Sequence, residues 1–583
     1  MTSAQGQTSA TARLAAPPAA LNRWWWRPEG AIQWAVAVVV VFLILAPIVP
    51  LLMQAVSSEA LYKADRHTTI GNFVRLLNDP AFGRALANSM LFACIGTVLA
   101  QGIGATLAVL VGRTNMGLRG LLGNLVLWPV FISHLVITTG WSIVYGPAGY
   151  FTTIWKQHLG TEFWSLYTIP GMALVAAVTQ APIAYLYCLG SLRSSDPTLE
   201  DSARAAGLRP AQIFRRITLP LLTPALLVSG ILNFVMMLEV VSIPLIFGRP
   251  ARIELLMSYI YERSKSVATP DYGLVAAAAT LLVVLVLVLV ALQRVILRNP
   301  QRFVTVGGKA QRPRQFSLGP WRWVATGLVA AYAVLFVLLP LAGVVAYAFA
   351  KLLTPLVPFT RVITIDNFLT VWNTETYRRS VINSMLISTI GGAVVTFIVT
   401  MLALVVHRSK FRFGRELDMI SLLPRAVPGM IAGIGIYYVT TLIPPLGALR
   451  QTIVILMIAF AMRYIPLGYG AVATAILKID PQLDRSARSV GADWWLTQRK
   501  VVMPLLVPAM ISSYALLFVY FLKDYSTGLF LVAPGSEVLG TTMLQMFVSG
   551  QTGPACALAT IQLVLTVLFV LLLRRITGVS IHG

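Results

Sequence analysis

Charge is scarce in this chain of 583 residues. Only 11% are Asp, Glu, Lys or Arg, whereas 57% are hydrophobic and the mean hydropathy is +0.78. Soluble domains carry about 25% charged residues, so a soluble globular protein is excluded, and the same numbers exclude disordered and collagen-like chains. Cysteine is rarer still: Cys94, Cys188 and Cys556 lie in apolar stretches without CxxC spacing. That excludes a disulfide framework and a cysteine metal site and leaves core packing. The five histidines are scattered, with no HExxH or Cys/His cluster, so no metal is expected. A GxxxxGK[ST] phosphate loop is missing too, since Gly307-Gly308-Lys309-Ala310 lacks the upstream glycine and the hydroxyl. Nucleotide chemistry must then come from a partner chain, and no converging catalytic groups mark an enzyme. The net charge of +24 forms no patch. It reports orientation and contact with anionic membrane lipid, not a nucleic-acid partner.

What is present is long apolar runs. A bilayer core of about 30 Å calls for about 20 apolar residues in a helix. Such runs predict spans over 31–54, 87–111, 120–145, 167–192, 218–247 and 272–293, then 325–350, 383–406, 418–442, 451–477, 502–532 and 553–573. The fold class is all-α, a polytopic membrane protein of twelve transmembrane helices. The first run is too long for a signal-peptide core and has no small-residue cleavage site, so it is read as retained. Trp24, Trp25 and Trp26 before it fit an interfacial anchor. Of the 45 Lys and Arg residues, 28 fall in 1–30, 112–119, 193–216, 294–323, 407–416, 478–500 and 574–583. The positive-inside rule places those segments, and both termini, in the cytoplasm.

The two sets of six are copies. Thr69-Ile70-Gly71-Asn72-Phe73 matches Thr364-Ile365-Asp366-Asn367-Phe368 at an offset of 295, as do Asn88-Ser89-Met90 and Asn383-Ser384-Met385, Arg113 and Arg408, and Pro129 and Pro424. Six spans per copy is even, so the repeats enter the membrane in the same sense, related by an axis along its normal. The expected organisation is a tail 1–30, a first domain 31–297, a Gly/Pro/Gln-rich basic linker 298–323, a second domain 324–575 and a tail 576–583.

The loops after the fourth spans, 196–220 and 480–504, carry the strongest pattern. One reads Asp196-Pro-Thr-Leu-Glu-Asp-Ser-Ala-Arg-Ala-Ala-Gly207 and continues to Ile217-Thr-Leu-Pro220. The other reads Asp480-Pro-Gln-Leu-Asp-Arg-Ser-Ala-Arg-Ser-Val-Gly491 and continues to Val501-Val-Met-Pro504, at an offset of 284. Asp196 and Asp480 are expected to cap a helix, and Gly207 and Gly491 to close it in the left-handed conformation. Leu199, Ala203 and Ala206, like Leu483, Ala487 and Val490, fall at i, i+4, i+7 and make a small apolar face fit for a partner's groove. Pro220 and Pro504 are expected to open the fifth spans.

These loops resemble the EAA signature of the membrane subunits of type I binding-protein-dependent ABC importers: Glu-Ala-Ala, three residues, Gly, nine residues, Ile-x-Leu-Pro. Asp201-Ser202-Ala203 and Arg485-Ser486-Ala487 stand at Glu-Ala-Ala, and Ile217-Thr-Leu-Pro220 is intact. Asp201 keeps the acid and Arg485 reverses it, which would make the second ATPase contact weaker or differently paired. More narrowly the chain is similar to the fused permeases of ferric-iron importers, through Asn72-Phe73, Asn367-Phe368, Pro270-Asp271-Tyr272-Gly273-Leu274, Arg463-Tyr464-Ile465-Pro466 and Ser526–Leu539. The resemblance implies an ABC ATPase homodimer on the two loops, which uses ATP and Mg while this chain binds no cofactor. It also implies a periplasmic substrate-binding protein, a bacterial inner-membrane location and alternating access. It leaves open ferric iron, sugar phosphate, phosphonate, polyamine or thiamine as cargo.

Ionisable residues at bilayer depth are functional candidates by default. Five occur: Glu239 in the fifth span, Lys523 and Asp524 in its counterpart, Arg425 in the ninth and Arg463 in the tenth. Glu239 and Lys523 are equivalent at the 284 offset, which allows an ion pair between the halves. Arg463 precedes Pro466, whose ring frees carbonyls a guanidinium can satisfy, and Arg425 lies between Pro424 and Pro428. Three basic against two acidic groups lean towards an anion or an anionic chelate. His134 and Tyr525 are read as packing, and Gly102-Ile-Gly104-Ala105 as a helix-packing stripe. The rival reading is a twelve-helix secondary transporter, supported by the basic loop Gly112–Gly120, to which the duplicated Gly-to-Pro loops are foreign.

Overall fold

The computed structural model describes residues 28–161, 164–194, 197–265, 271–296 and 316–577. The Trp24–Trp26 anchor, Asp196, Pro270, most of the linker and the last six residues lie outside them, as does the side chain of Asp201. Among the described residues there is no strand, only three isolated bridges. Helix is what a bilayer imposes, because backbone groups there find no water.

Among the described residues ten helices are long and apolar enough to cross a membrane, and two bent pairs bring the spans to twelve if each pair is one span. In the first half the straight spans are Pro28–Ala55, Pro80–Arg113, Ile169–Ser194, Phe214–Glu239 and Tyr272–Ile296. In the second they are Trp321–Ala348, Glu375–Arg408, Ile453–Ile476, Trp494–Lys523 and Thr552–Thr577.

The third span of each half corrects the expectation of a single helix over 120–145 and 418–442. Arg119–Phe131 meets His134–Leu159 at 108°, and Gly414–Ala426 meets Gly429–Leu442 at 111°. At the first break Ile132 is extended and the Ser133 hydroxyl accepts from the Leu135 amide at 3.3 Å, capping the new helix. At the second, Val427 is extended, as the residue before a proline is biased to be. The fifth spans are also shorter than read: their helices stop at Glu239 and Lys523 and give way to extended residues.

The change of offset from 295 to 284 has a local cause. The first half carries a helix, Tyr150–Leu159, where the second has only the turn Pro444–Gly447. Elsewhere the repeated polar residues do repeated work. The Asn72 amide donates to the carbonyls of Ala55 and Ser57 at 3.1 and 2.8 Å, and Asn367 to those of Ala348 and Ala350 at 3.1 and 3.0 Å, tying off the first span of each half. The Ser89 and Ser384 hydroxyls accept from the Leu256 and Leu539 amides at 2.6 and 2.8 Å. Those amides open two equivalent short helices, Leu256–Lys265 and Leu539–Val548.

The first span of each half crosses to the other. Val40 and Ile44 are wholly buried in a cluster with Val399, Leu402 and Ile436. Glycines allow the crossing twice over. A side-chain carbon at Gly435 would lie 2.4 Å from the Pro47 carbonyl oxygen, and one at Gly140 would lie 2.4 Å from that of Pro340. Gly104 in turn lets the second span close on the fourth, since a side-chain carbon there would lie 2.5 Å from the Ala181 oxygen, so this member of the stripe packs. Gly102 faces open space.

The exchange makes a direct prediction. Gly435→Val and Gly140→Val force backbone apart and should each destabilise the protein by about 1–3 kcal/mol, the range for overpacked sites. Gly102→Val should melt like the parent. Thermal unfolding of the three variants in lipid nanodiscs checks this, and equal melting of all three would refute the crossed packing.

Candidate functional site

Arg463, inside the fourth span of the second half, gathers the intramembrane charges. Its Nη1 donates to Ser526 Oγ at 2.9 Å and Thr527 Oγ1 at 3.2 Å. Nη2 lies 3.3 Å from Glu239 Oε2, and Nε lies 3.8 Å from Asp524 Oδ2. Asp524 is the most enclosed carboxylate of the group, with a side chain 1% exposed. It accepts from the Tyr464 hydroxyl at 2.7 Å and from the amide and hydroxyl of Thr527 at 2.9 and 2.8 Å. A buried ion pair holds only when the remaining lone pairs and protons are satisfied, and here neighbours supply nearly all of them. Glu239 is the contribution from the first half, so the Arg463–Glu239 pair joins the two halves.

The expected Glu239–Lys523 pair is therefore corrected. Lys523 Nζ reaches across to the backbone carbonyl of Val130, at the broken third span of the first half, and lies 4.0 Å from the centre of the Tyr520 ring. The carbonyl needs a donor because the helix it ends has lost its next turn, and the ammonium satisfies it. Arg463 is not found on the backbone freed by Pro466; instead Arg425, an exposed side chain, donates from Nη2 to the carbonyl oxygen of Pro466 itself at 3.3 Å. Two residues read as packing do polar work. His134 Nε2 lies 3.1 Å from the Gln180 amide, and the Tyr525 hydroxyl accepts from the Ser242 amide at 3.1 Å across the halves. Among the described residues no cluster of three or more His, Cys, Asp or Glu could hold a metal ion.

The two loops after the fourth spans form short helices, Pro197–Ala205 and Gln482–Ser489. Gly207 and Gly491 close them at φ +80° and +87°. The amides of Leu208 and Ala492 then reach back to the carbonyls of Ala203 and Ala487, both at 3.1 Å. Asp480 caps its helix by accepting from the Gln482 amide at 2.9 Å. The apolar faces are largely open: Leu199 and Leu483 are each 40% exposed and Val490 84%. Ser202, Arg485 and Ser486 are exposed as well, Ala487 is half-buried, and Ala203 turns inward. Pro220 and Pro504 stand second in the α-helices Leu219–Glu239 and Met503–Lys523, the expected place in the fifth spans, but those helices continue earlier helical turns. The helix is already running, through π-helical turns at Phe214–Thr218 and Gln498–Val502 whose wider register carries the chain past the proline.

Sequence reasoning missed the inward partners of these helices. Arg113 and Glu200 are 3.4 Å apart with side chains 1% and 4% exposed, and Arg408 and Asp484 are 3.2 Å apart. The signal was available: Arg113 and Arg408 match at 295, Glu200 and Asp484 at 284.

Residues 102–302 and 399–578 each match the family described as binding-protein-dependent transport system inner membrane component. The ferric transport system permease protein FbpB of Actinobacillus pleuropneumoniae is 24% identical over 87% of this chain and 73% of its own length. The Fe(3+)-transport system permease protein FbpB 2 of Haemophilus influenzae is 21% identical over 88% and 94%. Among solved structures, a chain of a bacterial alginate ABC transporter in complex with an alginate pentasaccharide-bound periplasmic protein covers 49% of this chain and 99% of its own. It is 20% identical, with a TM-score of 0.41.

Gly429 tests the cluster. A side-chain carbon there would fall 1.0 Å from Arg463 Nη1 and 2.6 Å from Ser526 Oγ. The guanidinium is pinned on several sides, so Gly429→Ala should displace it and cost about as much stability as Arg463→Gln. The double variant should cost little more than either alone, because contacting residues are not additive. Melting temperatures of the three variants decide; additive losses would mean that Gly429 does not seat Arg463.

Proposed function

The chain belongs to the binding-protein-dependent transport system inner membrane components, and from that premise we propose that it moves ferric iron into the cytoplasm by alternating access between its two halves. It is an ABC importer permease in fused, double-domain form, a multi-pass inner-membrane protein that works with an ATPase and a periplasmic binding protein. The cargo is the finer step. It is supported by two relatives whose names specify ferric or Fe(3+) transport. The central charges belong to the path in this reading. With Arg425 the most open of the five and cations outnumbering carboxylates, they favour iron carried as an anionic complex, and a small anionic solute is the second cargo.

The coupling reading rests above all on one observation, the two short helices closed by left-handed glycines with open apolar faces. Asp201, Ser202, Ala203, Gly207 and Pro220, and Arg485, Ser486, Ala487, Gly491 and Pro504, form the two contacts with an ATPase homodimer. Both contacts and both termini face the cytoplasm. ATP and Mg are bound by the partner, none by this chain. Closure of the ATP-loaded dimer brings the short helices together and turns the path to the periplasm; hydrolysis resets it. ATP drives this only because its complex binds one of the two states more tightly.

The tagged chain, extracted mildly from native membranes, should carry two copies of a P-loop ATPase. Gly207→Asp with Gly491→Asp should release them, since each glycine holds a backbone conformation that side chains rarely adopt. Reconstituted with its partners, the complex should take up radiolabelled iron on addition of ATP. A chain that purifies alone and moves solute down an ion gradient would instead be a secondary transporter.

A further inference from the structure

We propose that Arg113 and Arg408 are positioning residues that make each ATPase-contacting helix rigid with the second span of its half, and that this linkage carries the stroke of the partner across the membrane. The proposal rests on the reading of the short helices as ATPase contacts.

Each arginine is the last residue of a second span. Glu200 Oε1 takes both Arg113 Nη2 at 3.4 Å and the Thr218 hydroxyl at 3.0 Å. One carboxylate thus fastens the second span, the short helix and the π-helical turn into the fifth span. In the second half Arg408 Nη1 holds Asp484 Oδ2 at 3.2 Å, while Nη2 donates to the Ile476 carbonyl at 2.9 Å, where the fourth span ends. The Trp494 indole donates to the Arg408 carbonyl at 2.9 Å from just beyond the short helix. The pairing persists although the chain between the partners differs in length between the halves.

The first short helix also turns Ala203 inward and lays Arg204 over the Phe316 ring at 4.6 Å; the second is tied less. None of the residues Gln482–Ser489 is buried, so Asp484 is the side chain that reaches the body of its half. Buried ion pairs are poor sources of stability compared with apolar packing, because desolvation offsets the attraction. What a directional, hydrogen-bonded pair supplies is a fixed geometry.

The far end of each second span shows where the motion goes. Asn88 and Ser89 hold the short helix Leu256–Lys265 on the opposite side of the membrane, through the Glu254 carbonyl at 3.1 Å and the Leu256 amide at 2.6 Å. Asn383 and Ser384 do the same for Leu539–Val548, through the Glu537 carbonyl at 2.9 Å and the Leu539 amide at 2.8 Å. From Asn88 to Arg113 the helix runs about 37 Å at 1.5 Å per residue. A push on the short helix therefore acts on a rod whose other end is bonded to the opposite face, unbroken α-helix in the first half and carrying one π-helical turn, Ile387–Gly391, in the second.

The test compares radiolabelled ferric iron moved per ATP hydrolysed in proteoliposomes of the full complex, using preparations in which the ATPase still co-purifies. Asp484→Asn and Glu200→Gln should lower that ratio about tenfold, and Thr218→Val, which removes one bond to Glu200, about twofold, within the range for coupling mutations. Glu200→Asp should recover part of the loss. If Glu200→Gln does not accumulate, Thr218→Val and Asp484→Asn decide. An unchanged ratio in the variants would overturn the positioning role while leaving the contacts in place. Failure of the unmutated chain to hold an ATPase would overturn the contact reading itself.

Discussion

A carbonyl or a guanidinium inside hydrocarbon has no water to turn to, and every break in a spanning helix creates such groups. At three of these breaks the structure answers with a side chain from another element. Where the third span of the first half stops, Lys523 takes the Val130 carbonyl. Where the fifth span of the second half stops, the Gln562 amide takes the Leu522 carbonyl at 2.6 Å. The Ser242 amide, just past the end of the other fifth span, is met by Tyr525. The breaks and the charges are one feature, because a helix that ends at bilayer depth needs a partner and a charge at that depth needs exposed backbone or a counter-ion. The polar centre follows from where the third and fifth spans stop.

Duplication supplies the frame around that centre and then departs from it. Asn72 and Asn367, Ser89 and Ser384, Arg113 and Arg408 keep the same partners in both halves. The residues around the polar centre do not: Gly429, Arg463, Lys523 and Asp524 stand where the first half has His134, Thr179, Glu239 and Val240. A symmetric frame with an asymmetric lining is what fusion into one chain permits, since each half can then specialise. The same division runs through the two short helices after the fourth spans, where the acids Glu200 and Asp484 agree in sign while Asp201 and Arg485 differ.

Much of this was legible before any coordinates. Hydropathy located the spans, and repeat offsets located the halves, the short helices and their closing glycines. The family followed from the same loops. What hydropathy does not carry is direction, so both bent third spans read as straight ones although Pro129, Pro424 and Pro428 stood there as signals. Equivalence also misled: Glu239 and Lys523 share a place in the repeat, but the third-span break offers Lys523 a carbonyl and the fourth span offers Glu239 an arginine, and those nearer partners prevail. Glu200 and Asp484 lie in polar loops, where an acid reads as solvated, and only the paired offsets mark them as turned inward.

The crossed first spans constrain how the halves move. Pro47 lies against Gly435 and Pro340 against Gly140, so each half holds a helix of the other and wholesale separation would strip both. Rocking about these two contacts is the motion that preserves them. In such a motion the Arg463–Glu239 pair is strained first, because it joins the halves, and its rupture is one-sided. Arg463 keeps Asp524, Ser526 and Thr527, all from its own half, whereas among the described residues Arg463 is the side chain that holds Glu239. Opening therefore leaves the guanidinium in place and releases the carboxylate. Glu239 is thus the group at this junction whose partner depends on how the two halves sit.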